Sequence, residues 1–197
     1  MKFVVYDKTN INTAQELLDR IVNANIAAGE GPQWWYLNIL IKYAKQVASI
    51  IEYGVYRGQS TAAFLVAKPT HIFSCDIDLS KVDTHLFHNI SSKTPTELVF
   101  MEKSSLDVNK EDRERYADLI FLDTNHTFDY VQKELRCVKD FANKFIIIHD
   151  TNYPKPHRNP HRERLVRDAV IQFTAEAPFE IVEDVREVTG IMVLKRK

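Results

Sequence analysis

The segment that decides the fold is VASIIEYGVYRGQS, residues 47–60. It begins with an apolar run that ends at Glu52 and continues into a turn that contains Gly54 and Gly58, two of the chain's five glycines. Apolar runs without polar alternation are typical of strands that are buried on both faces of a parallel sheet. Glycine lets the chain turn sharply after such a strand and lets a ligand approach the backbone closely. The segment therefore predicts a buried strand, a tight turn and a helix.

The same pattern recurs along the chain, with helical periodicity between the apolar runs. It predicts a Rossmann-like doubly wound α/β sheet, mostly parallel and seven-stranded, with helices on both faces and a final antiparallel strand. We expect residues 1–45 to form an N-terminal helical cap and residues 46–197 to form the ligand-binding domain of a single globular unit. The further strands are predicted at 71–75, 98–101, 117–122, 144–148, 179–185 and 190–194, and the helices at 13–26, 34–45, 60–67, 79–90, 108–116 and 128–141.

Composition excludes several classes of protein. The chain has 197 residues, is 45% hydrophobic and has a formal net charge of −1, which is typical of one globular domain without the basic surplus of a general nucleic-acid coat. No apolar run approaches the roughly 18 residues of a membrane span, and the N-terminus does not have the pattern of a signal peptide. Cys75 and Cys137 lie in apolar segments without motif spacing. We therefore expect reduced core thiols in a cytoplasmic protein.

Polar side chains follow every predicted parallel strand at its carboxyl end, where ligands of such sheets bind. Buried carboxylates cost several kcal/mol unless they are paired, so packing alone does not explain acids at successive strand ends. This pattern predicts a site at that edge of the sheet. Its members are Glu52, Asp76, Asp78, Ser104, Ser105, Asp123, Asn125, His126, His149 and Asp150.

The turn after the first strand also discriminates between ligands. A dinucleotide fingerprint needs Gly-x-Gly-x-x-Gly so that backbone amides reach a pyrophosphate, but Tyr56 stands at the middle glycine position. The Walker lysine pattern is absent as well. A turn preceded by an acid suits a ligand with ammonium or hydroxyl groups better than it suits a phosphate.

With these residues the chain resembles the class I S-adenosylmethionine (SAM)-dependent methyltransferases. The resemblance depends on Glu52-x-Gly54-x-x-x-Gly58 after the first strand and on Asp76 at the end of the second, and it covers about residues 37–197. More narrowly, residues 51–60, 122–126 and 148–151 look like the macrocin O-methyltransferase and cephalosporin hydroxylase-like group. The resemblance implies methyl transfer from SAM to an oxygen of a small polar molecule such as a sugar.

The resemblance also implies how the cofactor is held. Glu52 and the Gly54–Gly58 loop would hold the methionine part, Asp76 would accept hydrogen bonds from the ribose hydroxyls, and Ser104 would lie near the adenine. Many relatives carry an acid at the position of Ser104, where this chain departs from the pattern. The cofactor-binding residues expected on this basis are Glu52, Gly54, Tyr56, Gly58, Ser60, Asp76, Ile77, Ser104, Ser105 and Asp123.

A metal and a catalytic base follow from the same resemblance. Asp123 matches the group's first carboxylate ligand, and His149 and Asp150 stand where metal-binding members carry two acids. Carboxylates suit Mg²⁺, whereas the imidazole of His149 favours Mn²⁺, Fe²⁺ or Zn²⁺, or no metal at all. His126 matches the group's proposed general base, and an imidazole has a pKa suited to taking a proton from an attacking hydroxyl.

Two segments flank this predicted site. Residues 152–167 are rich in proline and arginine, and they are either a solvated loop or a lid in which Arg158 and Arg162 hold an anionic acceptor. The aromatic residues 34–36 are expected in the core; the alternatives are an apolar wall on the other side of the site and a homodimer through this segment.

Two other classes of function stay open. His126, His149 and an aspartate would form the two-histidine, one-carboxylate set of a non-haem iron oxygenase, but that reading leaves the Gly54–Gly58 loop unexplained. A non-catalytic nucleic-acid-binding module would use residues 155–167, but it gives no account of the acids at the strand ends. We therefore expect a small-molecule acceptor and no membrane as partners, and the acids at the strand ends argue against nucleic acid.

Overall fold

One mixed sheet of seven strands forms the centre of the molecule. The computed structural model describes residues 7–29, 33–108, 117–152 and 165–197. The strand order is β3-β2-β1-β4-β5-β7-β6, with β1 to β5 parallel and β7 antiparallel to both β5 and β6. The strands are Ser49–Tyr53 (β1), His71–Asp76 (β2), Glu97–Glu102 (β3), Ala117–Leu122 (β4), Ala142–His149 (β5), Phe179–Val185 (β6) and Ile191–Arg196 (β7).

Helices cover both faces of the sheet and enclose two hydrophobic cores. One core joins α1 to α4 to the sheet, and the other joins α5 and α6 to its opposite face. The predicted fold class is therefore confirmed. The helices are Ala14–Ala27 (α1), Trp34–Ala44 (α2), Gln59–Ala67 (α3), Thr84–Ser91 (α4), Phe128–Val138 (α5) and Val166–Glu176 (α6).

Local capping explains where the helices differ from prediction. The helix expected over 79–90 is a 3₁₀ turn, Leu79–Lys81, followed by α4, because the side chains of Asp78 and Asp83 each cap a separate start. The helix α6 was missed, although Val166, Ala169, Val170 and Phe173 have helical spacing and are buried. The helix expected over 108–116 falls almost wholly outside the described residues.

The N-terminal helices belong to the main core. Leu17, Leu18 and Ile21 of α1 and Leu37 and Leu40 of α2 are buried in the same cluster as the sheet residues. The predicted boundary near residue 45 falls between α2 and β1, and it separates two parts that share one core.

The two cysteines differ in environment. Cys75 is buried, as expected, but Cys137 is exposed, so the prediction of a core position for Cys137 is wrong. Cys137 lies on α5, whose strongly amphipathic pattern turns this position away from the sheet. Among the described residues, no helix is both long and apolar enough to cross a membrane.

Candidate active site

A cavity of about 730 Å³ opens at the carboxyl ends of the parallel strands. This volume is within the usual range for small-molecule sites. Its wall brings together most of the residues singled out from the sequence, from the ends of β1, β2, β3, β4 and β5. These residues are Gly54, Tyr56, Ser60, Asp76, Ile77, Ser104, Ser105, Asp123, His126, His149 and Asp150.

The Gly54 turn is fixed by close backbone packing. Gly54 has φ +93°, and a Cβ placed there would lie 2.1 Å from the carbonyl oxygen of Asp123. The Asp123 amide donates to the carbonyl oxygen of Tyr53 at 2.8 Å, so the ends of β1 and β4 are held together at this point. Gly58 is needed for a different reason, because a Cβ there would collide with the ring of Phe87. It faces the core, whereas the prediction placed it at the cofactor.

Glu52 lies behind the cavity wall. Its side chain is fully buried and accepts hydrogen bonds from the hydroxyls of Ser60, Thr61 and Ser74. Burial raises the pKa of Glu52 to about 7, although these three hydroxyls oppose the rise. Glu52 is not among the residues that line the cavity, and its contact with methionine stays a prediction. Glu52 ties β1, β2 and α3 together beneath the turn.

We expect Glu52→Gln to flatten the pH dependence of stability. Because the pKa of Glu52 is raised in the fold, the unfolded chain loses this proton first, and wild-type stability falls as the pH rises from about 4.5 to about 7. The variant lacks this term, worth at most about 3 kcal/mol. Melting temperatures between pH 5 and pH 8 should therefore fall less in Glu52→Gln than in the wild type, with exposed Glu180→Gln as the control. Parallel pH profiles would contradict the burial argument.

Asp76 has a structural role that the sequence did not reveal. Its Oδ2 accepts hydrogen bonds from the backbone amides of Val55 and Tyr56 at 2.7 and 2.8 Å, and its Oδ1 accepts one from the amide of Asp78 at 3.1 Å. A carboxylate offers about four acceptor positions, so three are used and one is left for a ligand hydroxyl. Asp76 thus shapes the Gly54 turn and still faces the cavity.

Two aspartates and two histidines form one cluster at the ends of β4 and β5. The Oδ1 of Asp123 lies 3.2 Å from Nε2 of His126 and 3.1 Å from Nδ1 of His149. Asp150 lies 3.0 Å from Nδ1 of His126 and 3.3 Å from Nδ1 of His149. Each carboxylate therefore contacts both imidazoles.

The charges in this cluster stabilise one another. Burial alone lowers the pKa values of His126 and His149, but the charges of Asp123 and Asp150 outweigh it and raise both. Burial alone raises the pKa of Asp123, but the two histidines outweigh it and hold it below its ordinary value. The two aspartates therefore favour the charged form of both imidazoles, and the imidazoles favour the ionised form of Asp123.

The same residues could hold a metal ion. Donor atoms of Asp123, His126 and Asp150 all lie within 4.8 Å of one another. The ligands predicted from the sequence are Asp123, His149 and Asp150. The group with the closest donor atoms contains His126, but Nδ1 of His149 also lies 3.1 Å from Asp123 and 3.3 Å from Asp150, so His149 stays a predicted ligand. Nε2 of His149 is buried and has no hydrogen-bond partner among the described residues. The imidazoles make this donor set more suitable for Mn²⁺ or another transition metal than for Mg²⁺.

Aromatic residues of α2 cover this cluster. The ring of Tyr36 lies 4.4 Å from that of His149, and the ring of Trp35 lies 5.9 Å from it. Tyr36 is buried and lines the cavity, so the N-terminal segment contributes to the site as well as to the core.

Glu134 is a buried residue that the sequence analysis missed. Its Oε1 accepts from the hydroxyls of Ser105 at 2.5 Å and Thr124 at 2.7 Å, and so links the loops that follow β3 and β4. Burial raises the pKa of Glu134 to about 7, against the effect of these two hydroxyls. Both hydroxyl residues line the cavity. A glutamate in an amphipathic helix is usually solvated, so the sequence carried little signal for this position.

The predicted substrate residues Arg158 and Arg162 lie outside the described part of the chain. Arg167, at the end of the same basic segment, is buried and pairs with Asp184. It also donates to the side chain of Asn152 at 3.2 Å. Arg167 therefore anchors the start of α6 to β6 and is not available to hold an acceptor.

Comparison with known proteins supports the fold. No protein-family model and no curated protein matches the sequence. Solved structures do match: an O-methyltransferase from Bacillus cereus in complex with S-adenosylhomocysteine (SAH) has a TM-score of 0.63 and 13% identity, over 92% of this chain and 91% of that one. An SAH-bound methyltransferase from Podospora anserina has a TM-score of 0.61 and 16% identity, over 93% and 86%. The SAM-bound O-methyltransferase TomG from Streptomyces achromogenes has a TM-score of 0.60 and 14% identity, over 92% and 90%.

The strand order and these structural matches show a Rossmann-like fold of the kind found in SAM-dependent methyltransferases. Identities of 13–16% in these three comparisons show the fold and leave the reaction to be argued from the site.

Proposed function

We propose that the protein is a SAM-dependent methyltransferase that methylates an oxygen of a small polar molecule such as a sugar. One observation carries this proposal: a single cavity joins the Gly54 turn and Asp76 to the cluster of Asp123, His126, His149 and Asp150. The first part suits a ligand with hydroxyl groups, and the second suits proton transfer. Structures of the same fold that contain SAM or SAH support the choice of methyl donor.

The residues present fit an adenosyl cofactor. Asp76 has one acceptor position left for a ribose hydroxyl, and Ile77, 73% exposed beside it, offers an apolar surface to a base. Ser104 and Ser105 line the cavity near the hydroxyl of Tyr130. Bound SAM would supply the electrophilic methyl group.

His126 is the residue that we assign as general base. Both of its ring nitrogens lie beside carboxylates, so His126 has to become neutral and to turn one nitrogen from Asp123 or Asp150 towards the acceptor hydroxyl. The other carboxylate then keeps the ring oriented and stabilises the imidazolium that forms. His149, whose ring lies 4.4 Å from that of Tyr36, contacts the same Oδ1 of Asp123 through its Nδ1.

A divalent metal is part of the proposal. Asp123 and Asp150 would hold the ion, with an imidazole nitrogen of His149 as a further donor, and the role of base stays with His126. Such an ion would lower the pKa of the acceptor hydroxyl and fix its direction of attack. The donor set favours Mn²⁺ over Mg²⁺.

The proposal is tested by thermal melts with SAM or SAH, each repeated with Mn²⁺, Mg²⁺ or EDTA. A ligand at about 100 times its dissociation constant stabilises by about 2.7 kcal/mol, or roughly 5–10 °C for a domain of this size. We expect this shift with SAH, and a further shift with Mn²⁺ that Asp150→Ala abolishes. The absence of any shift at saturating SAH would contradict the methyltransferase proposal.

A non-haem iron oxygenase is the second candidate, because the structure does bring His126 and His149 together with carboxylates. The same melts separate the two candidates when a series with Fe²⁺ is added to the series with SAH. An oxygenase would respond to Fe²⁺ and not to SAH.

The proposed nucleic-acid surface at 155–167 falls largely outside the described residues.

A further inference from the structure

Three polar side chains form a directional chain of hydrogen bonds in the cavity wall. Arg57 Nη1 donates to Oδ1 of Asn25 at 3.3 Å, and Nδ2 of Asn25 donates to Oε1 of Gln59 at 3.2 Å. A guanidinium can only donate, so Asn25 has to turn its oxygen towards Arg57 and its nitrogen towards Gln59. Gln59 is thereby oriented too, because its oxygen faces Asn25.

The last side chain in this series of hydrogen bonds, Gln59, has an unsatisfied donor. Nε2 of Gln59 is buried and has no hydrogen-bond partner in the described ranges. A buried donor without an acceptor is unfavourable, so we expect a bound group to supply the acceptor for Nε2 of Gln59. Asn25, Arg57 and Gln59 all line the cavity, which is where such a group could lie.

Gln33 presents the opposite requirement. Its Oε1 is also buried and has no partner within the parts of the chain that the structure describes, and it lines the same cavity at the start of α2. The cavity therefore offers one unsatisfied donor, connected to a cation, and one unsatisfied acceptor. A ligand that carries both a carboxylate and an ammonium group satisfies both.

We propose that Gln59, oriented by Asn25 and Arg57, binds the carboxylate of the cofactor's α-amino-acid end, and that Gln33 accepts a hydrogen bond from its ammonium group. The inference rests on the proposed function and deepens it. It replaces the role predicted for Glu52, whose carboxylate is enclosed by three hydroxyls. The positive charge of Arg57, transmitted through two polarised amides, favours an anion at Gln59.

Other ligands fit these groups less well. A phosphate would meet the acidic side chains of Asp76, Asp123 and Asp150 in the same cavity and would leave the acceptor of Gln33 unsatisfied. A neutral sugar would give Nε2 of Gln59 an acceptor but no negative charge, whereas the nearby charge of Arg57 favours an anion at this position. An amino-acid zwitterion provides a carboxylate for Nε2 of Gln59 and an ammonium group for Oε1 of Gln33.

The test compares two ligands that differ at this end. SAH carries the α-amino-acid group, whereas 5′-methylthioadenosine has the same adenosine and thioether without it. The variant is Gln59→Glu, which keeps an oxygen facing Asn25 and replaces the Nε2 donor by the second oxygen of a negatively charged carboxylate. Gln59 is the first residue of α3, where an acidic side chain is favourable to the helix, so the fold should be retained. Exposed Gln172→Glu on α6 is the matched control.

We expect calorimetry to show that Gln59→Glu weakens SAH binding by roughly 10- to 100-fold, the range for losing a hydrogen bond to a charged group. The affinity for 5′-methylthioadenosine should be unchanged in Gln59→Glu. The control Gln172→Glu should have wild-type affinity for both ligands. Gln33→Leu is the second variant, and it should weaken SAH selectively as well.

Other outcomes overturn the inference in distinguishable ways. If wild-type protein binds both ligands equally well, or if Gln59→Glu and Gln33→Leu leave SAH affinity intact, the cofactor's amino-acid end lies elsewhere and the proposed function stands. If the variants weaken the binding of both ligands equally, the pocket is generally disturbed, and this result would also overturn the inference. If wild-type protein binds neither ligand, the proposed function fails and the inference fails with it.

Discussion

The variant His126→Ala should lose methyl transfer by about 10²- to 10⁴-fold and should keep its affinity for SAH within a few-fold. His126 lies between Asp123 and Asp150, at 3.2 and 3.0 Å, at the carboxyl edge of the sheet. It is the side chain in this cluster that we expect to take the proton of the acceptor hydroxyl. Removing it takes away the base and leaves the Gly54 turn and Asp76 untouched.

The measurement uses SAM with a labelled methyl group and an acceptor found by screening hydroxyl compounds, with SAH affinity measured separately. Exposed His85→Ala, on α4, is the matched control and should have wild-type turnover. Turnover of His126→Ala within about threefold of wild type would assign the base to another group. A parallel loss of SAH affinity would show that His126 shapes the cofactor site instead.

The second large effect is expected from Gly54→Ala, which should destabilise the protein by roughly 2–5 kcal/mol. The new methyl group would lie 2.1 Å from the carbonyl oxygen of Asp123, and the backbone has φ +93°, which alanine adopts only with strain. The collision involves backbone on both sides, so a side-chain rotation cannot relieve it. Separating the ends of β1 and β4 would also move Asp123 and should abolish SAH binding.

Gly29→Ala provides the control for this variant. Gly29 also has a positive φ, +86°, but a Cβ there meets nothing within 4 Å. It should therefore cost only the conformational strain, about 1 kcal/mol. A melting temperature lowered by roughly 5–15 °C in Gly54→Ala, against a few degrees in Gly29→Ala, is the expected result. Equal losses would show that the contact with Asp123 is not what requires glycine at position 54.

The fold could be predicted from the sequence because its strands are buried on both faces. Continuous apolar runs mark such strands, and all seven were located to within a few residues. The break in the helix at Asp83 was missed because it depends on side-chain capping and not on periodicity. The helix α6 was missed because it directly follows a proline-rich segment. Cys137 was misplaced because its apolar neighbours on α5 face a different direction from its own side chain.

The candidate site was predictable where its members follow strands. Asp76, Asp123, His126, His149 and Asp150 all come directly after buried runs or within a few residues of them. Asn25 and Gln59 reach the cavity from helices and were missed, since nothing in the local sequence marks them. Asn25 and Gln59 are 34 positions apart, and their hydrogen bond depends on how α1 packs on α3. Glu134 is likewise recognisable only from its contacts with two separate loops.

The central claim is that the cavity at the ends of β1, β2 and β4 binds an adenosyl cofactor, and calorimetric titration of the wild-type chain with SAH tests it most directly. We predict one site per chain with a dissociation constant below about 100 µM, where most of the protein is occupied at millimolar ligand. Asp76→Ala should weaken this binding, because Asp76 both shapes the turn and keeps one acceptor position for the ligand. The absence of binding heat at millimolar SAH over a range of temperatures would contradict the claim.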